Sequence, residues 1–203
     1  MAKRYVAGST LEDALRVSDE LAGRNRLVTL DVLGEQFSSR EQVMLMMAEY
    51  ERALRELAHD HPSATLSVMM TGFGLRLDPQ LCRENLHRLA RDAADRAIGV
   101  TLNMEDSSTV EATLDVYRRL RAEGFDDVGI VLQSCLRRTL DDVAALAHLR
   151  PRVRIVKGIW HEPESVAYLD AETIRQKYIA ILEGLIACGS YPEVATHDEW
   201  LIE

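Results

Sequence analysis

Short, β-branched runs that are almost wholly apolar alternate along this chain with longer segments whose apolar residues recur every three or four positions. The runs are Leu27–Leu33, Thr65–Met70, Ile98–Leu102, Val128–Leu132, Val153–Val156 and Glu193–Thr196. Each is four to seven residues long, as strands are, and the near-continuous apolarity predicts burial on both faces, as in a parallel sheet. The intervening segments carry a helical period. Val110, Leu114, Tyr117 and Leu120 share one face and stop at Gly124, and Ile174, Tyr178, Ile181 and Leu185 do the same before Gly189. Start signals accompany them: Ser9 with Glu12, Ser38 with Glu41 and Ser108 with Glu111 each fit the S/T-x-x-E capping box, and Asp78-Pro79 reads as an N-cap followed by proline at the first helical position. The pattern predicts six βα units repeating every ~25–40 residues, as in a (β/α) barrel or an open doubly wound sheet. The expected class is α/β of the (β/α) TIM-barrel type, with parallel strands and about six βα units. A complete barrel takes about 250 residues, so residues 1–203 are expected to form a single barrel domain whose C-terminal units are missing.

Composition supports a folded domain and narrows its partners. With 47% hydrophobic and 28% charged residues there is ample apolar material for a core and no case for disorder. The 24 Lys and Arg stand against 33 Asp and Glu, a net charge of −9. Phosphate binding needs clustered cations that release counterions, so a nucleic-acid partner or an anionic membrane is not expected. Cys82, Cys135 and Cys188 are odd in number, far apart and free of any C-x-x-C, which suits reduced thiols. The N-terminus has no apolar signal core, and no stretch approaches the ~18 apolar residues of a membrane span, so the expected location is the cytoplasm.

Several familiar motifs are missing or weak. No G-x-x-x-x-G-K-[ST] occurs, and Gly72-Phe73-Gly74 by itself is poor evidence for phosphate binding. His59-Asp60-His61 beside Pro62 reads as a solvated turn rather than a metal pair, and Glu84-Asn85-Leu86-His87 lacks the second copy that a di-iron bundle requires. No metal site is expected. Polar residues at strand C-termini say more, because parallel α/β folds bind ligands there. Gln133 ends an apolar run, Arg154 lies inside one, and Thr196-His197-Asp198 closes the last. Bland alternatives exist for each: an interior amide satisfied by neighbouring strands for Gln133, an internal ion pair with Asp31 or Glu105 for Arg154, a cap on the next helix for His197. Their convergence on one mouth of the sheet favours a ligand site.

At this point a family resemblance emerges. Thr29-Leu30-Asp31-Val32-Leu33-Gly34-Glu35, Met104-Glu105-Asp106-Ser107-Ser108, Val131-Leu132-Gln133-Ser134-Cys135-Leu136-Arg137-Arg138, Val156-Lys157-Gly158-Ile159-Trp160-His161-Glu162-Pro163 and Ala195-Thr196-His197-Asp198 resemble the blocks of the proline dehydrogenase family in order and spacing. The likeness runs from Arg4-Tyr5-Val6-Ala7-Gly8 to the last residue. It implies a distorted (β/α)₈ barrel that holds FAD over the C-terminal ends of its strands, oxidises L-proline to Δ1-pyrroline-5-carboxylate and passes electrons to quinone. The family's flavin contacts would fall on Gln133 at the isoalloxazine edge and on Arg154, the catalytic cation, near flavin N5. Lys157, Gly158, Thr196 and His197 would lie along the ribityl, phosphate and adenosine portions.

Departures accompany the matches. Met69 stands where the family's second strand carries a lysine that pairs with the substrate carboxylate, and Asn103 stands where the third strand carries an aspartate. Trp160 replaces another aromatic in the fifth-strand loop. The family's last two strands, its C-terminal helix with paired arginines and a glutamate, and its N-terminal helical extension have no counterpart here. Removing an ammonium and a carboxylate together costs less than leaving one buried alone. Met69 and Asn103 are thus the expected substrate-binding positions of an enzyme with altered substrate, an imino acid or amine. The alternatives are a degenerate member that binds FAD or a partner without turnover, and a non-flavin (β/α) barrel lyase using Lys157 as a Schiff base. An open sheet of six units leaves two edges, through which a homo-oligomer is expected.

Overall fold

The computed structural model describes residues 6–34, 37–60 and 64–203, with residues 59 and 60 described by their backbone alone. Strands and helices alternate throughout: α1 (Leu11–Ala22), β1 (Thr29–Asp31), α2 (Arg40–Asp60), β2 (Thr65–Val68), α3 (Pro79–Asp95), β3 (Val100–Leu102), α4 (Val110–Ala122), β4 (Val128–Gln133), α5 (Thr139–Leu146), β5 (Arg152–Val156), α6 (Ala171–Ala187), β6 (Tyr191–Val194) and α7 (Glu199–Ile202). This is the α/β alternation of the (β/α) barrel type, with six parallel strands. The chain forms two compact units, Met1–Thr101 and Leu102–Glu203.

In the first unit β1 and β2 pair in parallel, Leu30 opposite Leu66 and Asp31 opposite Ser67, and Leu66 N–H donates to Gly99 O at 2.9 Å. The amphipathic α2 buries Met47, Leu54 and Leu57 completely. Its Tyr50 hydroxyl shares one hydrogen between Ser67 O at 3.0 Å and Val32 O at 3.3 Å, a stitch across the ends of the two strands. Burial and the nearby Asp31 push that phenol far above its ordinary range. Gly72-Phe73-Gly74 is part of the core: Phe73 is fully buried in a 3-10 turn, and a Cβ on Gly72 would lie 2.8 Å from Gly34 O.

In the second unit β5 pairs in parallel with both β4 and β6. Val153 and Ile155 are sealed on one side of β5, where Tyr178 of α6 donates to Ile155 O at 2.8 Å and accepts Ala195 N–H at 3.0 Å. Among the described residues no helix is long and apolar enough to cross a membrane.

The helix starts differ instructively from the sequence expectation. Asp78 does cap α3, accepting Gln80 N–H at 3.0 Å and Leu81 N–H at 3.3 Å ahead of Pro79, and these donors with Arg40 hold its carboxyl below the usual range. Two of the three capping boxes are displaced by one residue. Thr10 rather than Ser9 accepts Asp13 N–H, and Ser39 rather than Ser38 accepts Gln42 N–H while Gln42 Oε1 reaches back to Ser38 N–H at 2.9 Å. In each pair a second hydroxyl stood beside the expected one, with Asp13 or Gln42 able to replace Glu, so the motif alone could not choose. At α4 the box is absent: Ser108 N–H turns back to Asp106 Oδ1, and Glu111 meets Arg138 at 2.7 Å and Arg118 at 3.3 Å. Of the turn expected at His59-Asp60-His61, His59 and Asp60 instead end α2, whose helical period runs on through them, and His61 with Pro62 lies outside the described residues.

The sixth strand starts two residues before its expected position and includes Pro192. Pairing explains how. Tyr191 N–H donates to Pro151 O and Ala195 N–H to Ile155 O, so the missing N–H of Pro192 falls on the side away from β5. Burial on both faces holds for β3 and β4 but not for the half-exposed β1 and β6.

Candidate functional site

Strand alternation and register put the polar residues of the second unit on one face. Val131 and Gln133 of β4 stand opposite Arg154 and Val156 of β5, and Arg152 and Arg154 stand opposite Tyr191 and Glu193 of β6. Side chains two apart on a strand share a side. One face of β4–β6 therefore presents Gln133, Arg152, Arg154 and Glu193, while Ile130, Leu132, Val153 and Ile155 fill the other.

Glu193 holds both arginines. Arg154 Nε donates to its Oε2 at 3.1 Å and Arg152 Nη1 to its Oε1 at 2.8 Å, with all three side chains less than a third exposed. Glu193 is a partner of Arg154 that only the β5–β6 register brings opposite it. Gly129 leaves room for Arg152, whose guanidinium carbon would lie 3.0 Å from a Cβ there. Gln133 is buried, and its Nε2 donates to Glu105 O at 2.8 Å, so the interior-amide reading describes one half of the group. Its own carbonyl accepts the Thr139 hydroxyl at 2.6 Å, tying the strand end to α5.

The residues following β5 and β6 meet at Asp198. Lys157 Nζ donates to Asp198 Oδ2 at 3.0 Å, and Arg175 of α6 grips the same carboxylate through Nε at 2.9 Å and Nη2 at 3.0 Å. The Arg175 fork and then the Lys157 ammonium hold the Asp198 carboxyl at about 2, well below an ordinary aspartate. Arg175 also lies 5.6 Å over the ring of Trp200. Lys157 is thus held by the Asp198 carboxylate. Gly158 has φ +106°, and a Cβ there would collide with Cys135 Sγ and lie 2.8 Å from Gln133 Oε1, so only glycine lets this turn lie against the end of β4. Thr196 Oγ1 accepts Asp198 N–H at 3.1 Å, and His197 is exposed. The residue heading α7 is Asp198, so His197 is not the helix cap.

Met69 and Asn103 each lie one residue past a strand end, after β2 and β3, and both are half-buried. Met69 belongs to the first unit, Asn103 to the second. On α3, Glu84 accepts Gln80 Nε2 at 2.7 Å, and among the described residues no three His, Cys, Asp or Glu are grouped to hold a metal ion.

Comparison with known proteins agrees with this geometry. The family model described as proline dehydrogenase matches residues 14–188. Proline dehydrogenase 1 of Bacillus subtilis (strain 168) is 32% identical over 201 residues, 99% of this chain and 66% of that protein. Proline dehydrogenase of Deinococcus radiodurans is 35% identical over 208 residues, covering 100% of this chain and 67% of its own length. This chain thus spans about two thirds of the length of these relatives. Among solved structures, proline utilization A (PutA) of Bdellovibrio bacteriovorus, inactivated by N-propargylglycine, superposes with a TM-score of 0.88 at 22% identity, over 99% of this chain and 26% of that one. At that identity the match speaks for the fold.

Proposed function

Because this chain belongs to the proline dehydrogenase family, we propose that it carries the core of a flavin-dependent dehydrogenase that oxidises L-proline, or a related imino acid or amine, to the pyrroline. In that reaction the C–N bond becomes an imine, and the two electrons and two protons released end on a quinone. The observation that carries the reading is the shared face of β4 and β5, on which Gln133, the last residue of β4, and Arg154, in the middle of β5, lie diagonally across neighbouring strands.

The donor set fits FAD. Arg152, Arg154, Lys157 and Arg175, oriented by Glu193 and Asp198, offer guanidinium and ammonium donors of the kind that suits an anionic dinucleotide. When bound, FAD supplies the ring that accepts the substrate's electrons. Arg154, fixed by Glu193, provides positive charge where negative charge builds on that ring. Gln133, fixed by Glu105 O, offers its amide at the ring edge, while Lys157, Gly158, Thr196 and His197 serve the ribityl, phosphate and adenosine portions. Asn103, of the same unit, faces the substrate.

The test is flavin content followed by anaerobic reduction with L-proline and related imino acids. A yellow protein whose flavin is reduced supports the reading. Flavin bound but never reduced favours a member that binds without turnover, and a colourless protein whose Lys157 is trapped by borohydride with a carbonyl compound favours the lyase. Arg154→Ala should slow flavin reduction by more than it lowers flavin retention; equal loss of both, or of neither, removes Arg154 from its role.

A further inference from the structure

The segment after β5 leaves the sheet at Lys157 and returns at Tyr168, and both ends bond to one residue. Cys135 N–H donates to Lys157 O at 2.9 Å, and Cys135 O accepts Tyr168 N–H at 2.7 Å. The returning limb is tied further. Arg137 N–H donates to Val166 O at 3.0 Å and its Nε to Glu164 O at 2.8 Å, and its guanidinium lies 4.5 Å over the Tyr168 ring. A loop whose two ends close on each other in this way is an Ω-loop, able to move as a body about its neck. The tip is fastened elsewhere. Glu162 accepts Ser107 N–H on Oε1 and the Ser107 hydroxyl on Oε2, both at 2.6 Å and partly buried. Ser107 belongs to the loop after β3, which begins at Asn103.

We propose that Glu162 is a positioning residue that locks the β5–α6 loop to the β3–α4 loop, so that the two open and close together. Two hydrogen bonds to one carboxylate are charge-assisted and fix its direction as well as its distance. Neither loop can lift without breaking both. Resting on the function proposed above, the lock joins the side that holds cofactor, through Lys157 and Gly158, to the side that holds substrate, through Asn103. Residues remote from the chemistry govern turnover in this way when loop closure completes a site.

Hydrogen exchange followed by mass spectrometry on this chain tests the lock, using Glu162→Gln, Glu162→Ala, Ser107→Ala and the Glu162→Ala/Ser107→Ala pair. Glu162→Ala should speed exchange about tenfold in residues 104–109 and 158–167 alike, with the rest of the molecule unchanged. Glu162→Gln, which keeps size and one acceptor, should fall between it and the parent. Ser107→Ala should act in the same direction, more weakly, and add nothing to Glu162→Ala, as expected of groups sharing one interaction. Faster exchange in one loop alone, or additive effects, overturns the proposal. If flavin is reduced by L-proline, Glu162→Ala should raise KM several-fold with kcat within about twofold. Absence of reduction with the two loops still responding together overturns the proposed function and leaves the lock standing.

Discussion

Asp198 shows how much a single carboxylate does here, since it anchors the Lys157 ammonium and the Arg175 fork together. Its carboxyl titrates at about 2, below the ~3.9 of an unfolded aspartate. A depressed carboxylate stabilises the fold above its unfolded pKa and loses that contribution as pH falls toward the folded one. Asp198→Asn should therefore melt below the parent at pH 7, the gap closing between about pH 4 and about pH 2; a gap constant across that range in thermal melts would deny the ion pairs. The Thr139 hydroxyl makes a second measurable contribution. Thr139→Val removes its buried bond to Gln133 O, while Leu136 N–H still reaches that carbonyl at 3.3 Å, so urea denaturation should show a loss of about 1 kcal/mol.

Among the elements, the helices were largely legible because their signals are local. The face of Val110, Leu114, Tyr117 and Leu120 is buried as the period implies, and Gly124 takes φ +92° just beyond the end of α4. Caps were legible only to within a residue, because neighbouring hydroxyls compete for the same free N–H groups. Two glycine substitutions should differ in sign. Gly184 lies within α6, where a Cβ would touch Val143 at an ordinary 3.5 Å, so Gly184→Ala should stabilise by about 0.5–1 kcal/mol. Gly124 has open space around it but a left-handed backbone, so Gly124→Ala should destabilise by about 1 kcal/mol. Denaturant midpoints of the two variants measured side by side check both.

At the scale of the whole molecule the question is which substrate the proposed enzyme accepts when Met69 stands at a substrate-binding position. An enclosed carboxylate gains roughly 1.5–3 kcal/mol from each charge-assisted hydrogen bond, and ~1.4 kcal/mol is tenfold in affinity. Met69 contributes none, so L-proline should bind one to two decades more weakly than where a lysine stands at that position. An affinity for L-proline already as tight as that of a lysine-bearing relative would show that Met69 does not set the substrate.

The sequence by itself determined the βα alternation, the helical faces, the family, the place of Arg154 inside a strand, and the positions of Gln133, Lys157 and Thr196 at or just past strand ends. Those follow from local period and from contiguous motifs. Only the tertiary structure decided the partners. Glu193 lies 39 residues beyond Arg154 and reaches it solely through the β5–β6 register. Ser107 meets Glu162 across 55 residues of chain, and Arg175 meets Asp198 across 23. Ion pairs and hydrogen bonds depend on ångström distances between groups remote in sequence, and packing sets those distances; hydrophobic period, which depends on near neighbours alone, is already written along the chain.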